Sequence, residues 1–323
     1  MSSVSPSELV RGVLAGEHKA IARAVSLVED DSSDAATLVA ELVPRTGRAM
    51  VIGVTGPTGV GKSTVLGALI GLVRSEGRTV GVVSVDPSSP FTSGALLGDR
   101  VRLADHFLDP EVFIRSMGTR GHEGALAAAT AEAVAVLDAA GKDVVFVETA
   151  GAGQTEVDVR SVADLVVLVL MPESGDSIQA LKAGLMEIPD VILVNKADLG
   201  GADRAVTELR ATAGTGERPP EIVVASARTT EGIDTAWKTI STVSAELVAS
   251  DQLEERRRAN RVAQTLMCAD AKVARALRHL VRKDASMRSV IASVERRELD
   301  PRAAADRLFE RLLEGGSDGA DAR

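Results

Sequence analysis

The chain of 323 residues has little of what several protein classes need: one cysteine, Cys268, no tyrosine and 2% aromatic residues. A single cysteine excludes an internal disulfide framework and a zinc site built on several thiolates. Few aromatic rings are available to stack on single-stranded nucleic acid. Lys and Arg number 37 against 46 Asp and Glu, a net charge of −9, which argues against binding a phosphate backbone. We therefore expect no nucleic-acid partner.

Long hydrophobic runs are missing as well. The longest, residues 165–171, is far below the roughly 20 residues that span a bilayer. The first residues, MSSVSPSELVRG, lack the apolar segment of a secretory signal peptide. A lone cysteine fits a reducing compartment. We therefore expect a cytoplasmic protein that does not enter a membrane.

Short runs rich in Val, Ile and Leu alternate with helical patterns in the middle of the chain. The predicted strands are 50–55, 79–85, 112–115, 143–147, 165–170, 191–194 and 222–225. This alternation predicts an α/β fold with a mainly parallel sheet covered on both faces. Only helical periodicity is found before and after it. We predict an N-terminal helical extension at 1–45, a core domain at 46–247 and a C-terminal helical arm and tail at 248–323.

The strongest motif is Gly56-Pro-Thr-Gly-Val-Gly-Lys-Ser-Thr64, which matches the P-loop pattern G-x-x-x-x-G-K-[ST] between a predicted strand and a predicted helix. Its glycines let backbone N–H groups surround a phosphate at the helix N-terminus. Lys62 is expected to reach the β- and γ-phosphates, and the Ser63 hydroxyl to ligate Mg²⁺. The predicted nucleotide contacts are Gly56, Pro57, Thr58, Gly59, Val60, Gly61, Lys62, Ser63 and Thr64.

A second motif, Asn195-Lys196-Ala197-Asp198, follows a predicted strand and indicates which base is bound. The Asp198 carboxylate can accept from both the ring N–H and the exocyclic amine of guanine, a pair of donors that adenine lacks. We expect Asn195 to pair with the other edge of the purine and the Lys196 stem to lie over the ring. Ser226 and Ala227 follow another strand and are expected to support the base. Together the motifs predict a P-loop GTPase core that binds GTP and GDP.

Three carboxylates are predicted to hold Mg²⁺ with Ser63, directly or through water. Glu148 follows an apolar strand, Asp86 ends another, and Asp99 lies beyond a loop rich in turn residues. With Lys62, these three are our candidate catalytic residues. For Asp86 and Asp99 the alternative is a helix cap or a solvated loop. Gly151 has no side chain, so its N–H can approach the γ-phosphate.

The residue after Gly151 is Ala152, where many GTPases have a glutamine that orients water, and Gln154 lies two positions further on. We therefore predict slow intrinsic hydrolysis that another group or a partner accelerates. Arg120 has two interpretations, an internal arginine finger or a salt bridge at a surface or interface.

Longer strings resemble those of the MeaB/ArgK-type GTPases, the G-protein chaperones of adenosylcobalamin-dependent acyl-CoA mutases. The resemblance covers about residues 5–315 and is strongest over 50–200. Its strings are Val85-Asp-Pro-Ser-Ser-Pro-Phe91, Gly98-Asp-Arg100, Phe113-Ile-Arg-Ser-Met117, Thr119-Arg-Gly-His122, Val147-Glu-Thr-x-Gly-x-Gly-Gln-x-Glu156 and Gly175-Asp-Ser-Ile-Gln-Ala-Leu-Lys-Ala-Gly184.

The resemblance implies a GTPase, dependent on Mg²⁺, that gates cofactor loading and protects or reactivates a mutase, above all methylmalonyl-CoA mutase. It implies that Asp86, Asp99 and Glu148 serve magnesium and water. It also implies that residues 172–184 form a third switch, with Lys182 at the surface facing the mutase, and that the C-terminal arm mediates homodimerisation.

The arm also has an interpretation from its residues alone. Apolar side chains recur at helical spacing between 253 and 281, with Arg and Lys between them. This stripe either forms a two-fold dimer contact, which we predict, or packs against the chain's own core domain. Three other functions stay open from the motifs: a metal-insertion GTPase, a P-loop kinase or transport-linked ATPase, and a signalling switch without a mutase.

Overall fold

The alternation of apolar runs and helices builds a seven-stranded sheet in the computed structural model, which describes residues 5–30, 32–86, 103–118, 123–149, 159–172, 188–213 and 219–317. Every strand pair is parallel and the order is β3-β2-β4-β1-β5-β6-β7. The prediction of a parallel α/β sheet is therefore confirmed. The strands are β1 Met50–Thr55, β2 Val80–Asp86, β3 Val112–Gly118, β4 Val144–Thr149, β5 Leu165–Leu170, β6 Val191–Val194 and β7 Glu221–Val224.

Ten α-helices lie within the described residues. They are α1 Pro6–Leu14, α2 His18–Glu29, α3 Ser33–Leu42, α4 Lys62–Ser75, α5 Glu123–Ala139, α6 Ala202–Ala213, α7 Ile233–Ala249, α8 Gln252–Lys283, α9 Ala285–Glu295 and α10 Pro301–Ser317. The residue pattern also predicts a helix at 177–186, and that segment lies outside the described residues.

Helices cover both faces of the sheet, and this explains why the strands read as continuous hydrophobic runs. On one face α1, α2, α3 and α5 share a core with β2, β3 and β4. On the opposite face α4 and α7 pack over β1, β4 and β5. α6 packs against β5 and β6 with Ala205 and Leu209. The N-terminal helices thus belong to the main core, and the domain boundaries drawn from the sequence stay predictions.

Aspartates set the register at the amino edge of the sheet. Each of Asp143, Asp164 and Asp190 directly precedes a strand and accepts a backbone N–H at the start of a neighbouring strand. The donors are Thr79 at 2.7 Å, Val51 at 2.9 Å and Val166 at 2.9 Å, respectively. Backbone donors at this edge are thereby satisfied, which leaves the opposite, carboxyl edge for ligands.

The first turns of α8 are fastened to the same amino edge. Arg257 donates to both carboxylate oxygens of Asp164 at 2.8 and 2.7 Å, and Arg256 pairs with Asp190 at 2.8 Å. Contacts divide the chain into one unit at Met1–Gln264 and another at Thr265–Arg323. In the second unit, hydrogen bonds from Ser286 and Arg311 lower the pKa of Asp284 to about 2.

None of the helices in the described ranges combines the length and apolar character needed to cross a bilayer.

Candidate nucleotide site

The parallel arrangement brings the sequence motifs together along the carboxyl edge of the sheet. The P-loop follows β1, and Glu148 lies near the end of the adjacent strand β4. Asn195 directly follows β6, and Ser226 lies two residues after β7. Because carboxyl ends of parallel strands share an edge, segments far apart in sequence form one site.

Three glycines of the P-loop adopt positive φ values: 137° at Gly56, 84° at Gly59 and 93° at Gly61. A Cβ on Gly56 would lie 2.1 Å from the carbonyl oxygen of Val169, and one on Gly61 would lie 2.6 Å from Nδ2 of Asn195. Glycine is required at these two positions by both the backbone conformation and the close neighbours.

Lys62 is the first residue of α4, and its side chain is buried. Its Nζ donates to the carbonyl oxygens of Gly56 at 2.7 Å and Pro57 at 3.0 Å. The ammonium group therefore lies against the loop predicted to bind phosphate.

The candidate metal side of the site is a buried group of oxygen atoms. Ser63 Oγ donates to Glu148 Oε1 at 2.7 Å, and Ser84 Oγ donates to Glu148 Oε2 at 3.2 Å. All three residues are buried. Hydroxyl and carboxylate oxygens are the ligands that Mg²⁺ prefers, so the residues present fit that ion.

Asp198 forms the candidate base-reading group. Its Oδ1 accepts from Ser226 Oγ at 2.6 Å, and its Oδ2 accepts from Arg228 Nη2 at 2.7 Å. The hydrogen bond from Ser226, and then the charge of Arg228, lower the pKa of Asp198, so the carboxylate is an anion at neutral pH. A cavity of about 360 Å³ opens beside it, lined by Gly61, Thr64, Asn195, Lys196, Asp198, Leu199, Ala227 and Arg228.

Asn195 braces the site. Its Nδ2 donates to the Val60 carbonyl at 2.8 Å, and its Oδ1 accepts from the Ala227 N–H at 2.9 Å. The amide thus ties the P-loop to the loop after β7, a contact that the local sequence motif does not predict. Lys196 adds a second tie, since its Nζ donates to the Gly59 carbonyl at 2.7 Å from a left-handed backbone with φ 60°.

Several predicted residues are not part of this geometry. Asp86 ends β2, where only its backbone is described. Asp99, Arg120, Gly151 and Lys182 lie outside the described residues, and their assigned roles stay predictions.

Two residues at the site were missed from the sequence. Ser84 belongs to an apolar strand, and only the register of β2 against β4 places it beside Glu148 on the same face of the sheet. Arg228 follows Ser226 and Ala227 directly, and proximity to that loop was its only signal.

Comparison with known proteins agrees with the motifs. A family model described as methylmalonyl-CoA mutase-associated GTPase MeaB matches residues 21–281. A Pyrococcus abyssi protein named as a GTPase is 43% identical over 317 residues, covering 96% of this chain and 97% of the relative. The mouse mitochondrial methylmalonic aciduria type A homolog is 30% identical over 271 residues, 77% of this chain and 65% of that protein.

Among solved structures, one described as a LAO/AO transport system kinase matches with a TM-score of 0.69 and 28% identity. The match covers 97% of this chain and 100% of the other. The agreement extends over the P-loop core and the helices on both sides of it.

Proposed function

Because the chain belongs to the family of methylmalonyl-CoA mutase-associated GTPases MeaB, and is a GTPase, we propose that its GTP hydrolysis serves an adenosylcobalamin-dependent acyl-CoA mutase. In this proposal the protein gates loading of the cobalamin cofactor and protects or reactivates the mutase. Methylmalonyl-CoA mutase is the first candidate, from the family description.

The binding of a guanine nucleotide is supported by one observation: the anionic Asp198 lies beside a cavity that also borders the P-loop at Gly61 and Thr64. A carboxylate with two acceptor oxygens complements guanine, whose ring N–H and amine both donate. Adenine offers no such pair of donors on that edge, so it forgoes both hydrogen bonds. This supports GTP over ATP, and disfavours the alternative of a kinase or transport-linked ATPase.

In this proposal, each of the described site residues has a role in binding GTP and Mg²⁺. The P-loop N–H groups and the start of α4 bind the phosphates, and Lys62 turns its ammonium group from the Gly56 and Pro57 carbonyls toward the phosphate oxygens. Ser63 and Glu148 would hold Mg²⁺, which when bound would supply neutralisation of the negative charge that develops on the phosphates. Asn195 keeps the P-loop and base loop in register.

We expect slow GTP turnover by the purified protein alone and marked stimulation by an adenosylcobalamin-dependent acyl-CoA mutase from the same cell. The reason is that Ala152 stands where a water-orienting glutamine is usual, so a partner must complete the site. Turnover is measured by phosphate release at graded mutase concentrations, with methylmalonyl-CoA mutase tested first.

An acyl-CoA enzyme that lacks cobalamin serves as the control. Turnover unchanged by any cobalamin-dependent mutase, in apo and holo forms, contradicts the chaperone role and leaves the GTPase itself intact. Turnover by the isolated protein above about 1 s⁻¹, on the scale of assisted GTPases, contradicts the need for a partner.

We further propose a homodimer through the arm. Val262 and Leu266 on α8 are 63% and 61% exposed, although they belong to its apolar stripe. An exposed apolar stripe on a helix favours contact with a second copy of the chain. Light scattering is expected to give twice the monomer mass of 33.6 kDa. A Leu266→Glu variant is expected to shift it to the monomer mass, and a wild-type monomer at every concentration contradicts the dimer.

A further inference from the structure

Ser84 lies directly opposite Glu148 in the pairing of β2 with β4. The two side chains are buried, with 4% and 6% of their residue surface exposed. Partners in register project from the same face of a sheet, so the serine hydroxyl stands beside the glutamate carboxylate. This face carries the core packed against α4, the helix that provides Ser63.

The carboxylate of Glu148 is held from two sides. Oε1 accepts from Ser63 Oγ of α4 at 2.7 Å, and Oε2 accepts from Ser84 Oγ of β2 at 3.2 Å. Ser63 is the residue proposed to ligate the metal, and its bond to Glu148 is available for exchange when the metal binds. The bond from Ser84 approaches the other oxygen from the sheet and involves no metal ligand other than Glu148.

We propose that Ser84 is a positioning residue that fixes the Glu148 carboxylate for Mg²⁺. Glutamate has one more rotatable bond than aspartate, so holding its carboxylate in one place costs more side-chain entropy. A donor to the second oxygen removes that freedom before the metal arrives. This inference rests on the proposed Mg²⁺-dependent GTPase site.

The surroundings of Glu148 strengthen the case. On the same face, Val82 and Phe146 are fully buried members of the apolar core. A carboxylate turned toward them would lose its hydrogen bonds, which is unfavourable in a low-dielectric interior. The hydroxyl of Ser84 therefore donates, from the side of the sheet, to the Glu148 carboxylate in the same side-chain orientation that lets the carboxylate accept from Ser63.

The test compares wild type with Ser84→Ala, Ser84→Thr and a control, Ser116→Ala. Ser116 is buried and pairs with Ser84 from β3, one strand further from Glu148. Release of a fluorescent GDP analogue and GTP turnover are each measured over a range of Mg²⁺ concentrations, and GDP affinity is also measured in EDTA.

We expect Ser84→Ala to need about 10-fold more Mg²⁺ for half-maximal retention of GDP and for half-maximal turnover, the size of one lost hydrogen bond to a charged group. Its GDP affinity in EDTA stays within about two-fold of wild type, because base and phosphate contacts are untouched. Ser84→Thr keeps the hydroxyl and is expected to match wild type, as is Ser116→Ala.

A wild-type Mg²⁺ dependence in Ser84→Ala overturns the positioning role. An equal shift in Ser116→Ala, or an equal loss of GDP affinity in EDTA, overturns it as well by showing a general effect on the fold. Wild-type protein indifferent to Mg²⁺ instead overturns the proposed metal site itself. If Ser84→Ala fails to fold, Ser84→Cys fills the site with a slightly larger side chain that is a much weaker donor, and it is expected to give the same Mg²⁺ shift.

Discussion

Replacing Asp198 with Asn is expected to lower GTP affinity by about 10²- to 10⁴-fold, since two hydrogen bonds to a charged acceptor are lost or weakened. Xanthosine triphosphate should bind better to the variant than to wild type. Xanthine carries an oxygen where guanine carries its amine, and the asparagine NH₂ can donate to that oxygen while its carbonyl still accepts the ring N–H. Competition with a fluorescent GDP analogue measures both affinities.

Asp203→Asn is the matched control, because Asp203 is an exposed carboxylate in the first turn of α6 and does not line the cavity. Inosine triphosphate, which lacks only the exocyclic amine, should bind wild type less tightly than GTP by about 10-fold or more. Equal affinity of wild type for GTP and inosine triphosphate contradicts the assignment of both Asp198 oxygens to guanine.

Replacing Lys62 with Ala is expected to reduce GTP turnover by at least about 100-fold, the scale for removing one group that stabilises transition-state charge. The buried ammonium group contacts the carbonyls of Gly56 and Pro57, in the loop proposed to bind phosphate. Its loss should weaken binding of GTP more than of GDP, since the γ-phosphate adds negative charge. Phosphate release under single-turnover conditions separates the rate from affinity.

Two further variants make this result interpretable. Lys62→Arg keeps the charge but presents a wider, planar group to carbonyls that lie 2.7 and 3.0 Å from Nζ, so it should not restore turnover. Lys238→Ala removes an exposed lysine from α7 and should leave turnover within about two-fold of wild type. Lys62→Ala with wild-type turnover rules out the proposed contact of Lys62 with the phosphates.

The hydrophobic pattern and the sequence motifs predicted much of the sheet and of the candidate nucleotide site. β1, β5 and β6 begin and end at the predicted residues, because strands buried on both faces have little polar interruption. β4 was predicted to end at Val147 but continues to Thr149. In the sequence, Glu148 directly follows the predicted strand. In the fold its backbone pairs with Val54 and Ser84, and its carboxylate is satisfied by hydroxyl groups.

The same limit applies to Asn195. From the sequence, an amide after a strand beside Asp198 looks like a ligand for the base. In the fold it joins Val60 to Ala227, residues separated from it by 135 and 32 positions. No local pattern contains such contacts, because they arise only when β1, β6 and β7 lie in one sheet.

The sequence by itself determined the parallel α/β architecture, the P-loop and the preference for guanine, since each depends on local spacing or on the chemistry of a few adjacent residues. Only the tertiary structure decided that Glu148 is held by both Ser63 and Ser84, that Asn195 braces two loops, and that Arg228 pairs with Asp198. The physical reason is that hydrogen bonds and burial depend on distances between strands. The hydrophobic periodicity of a single segment does not specify the order of the strands in the sheet.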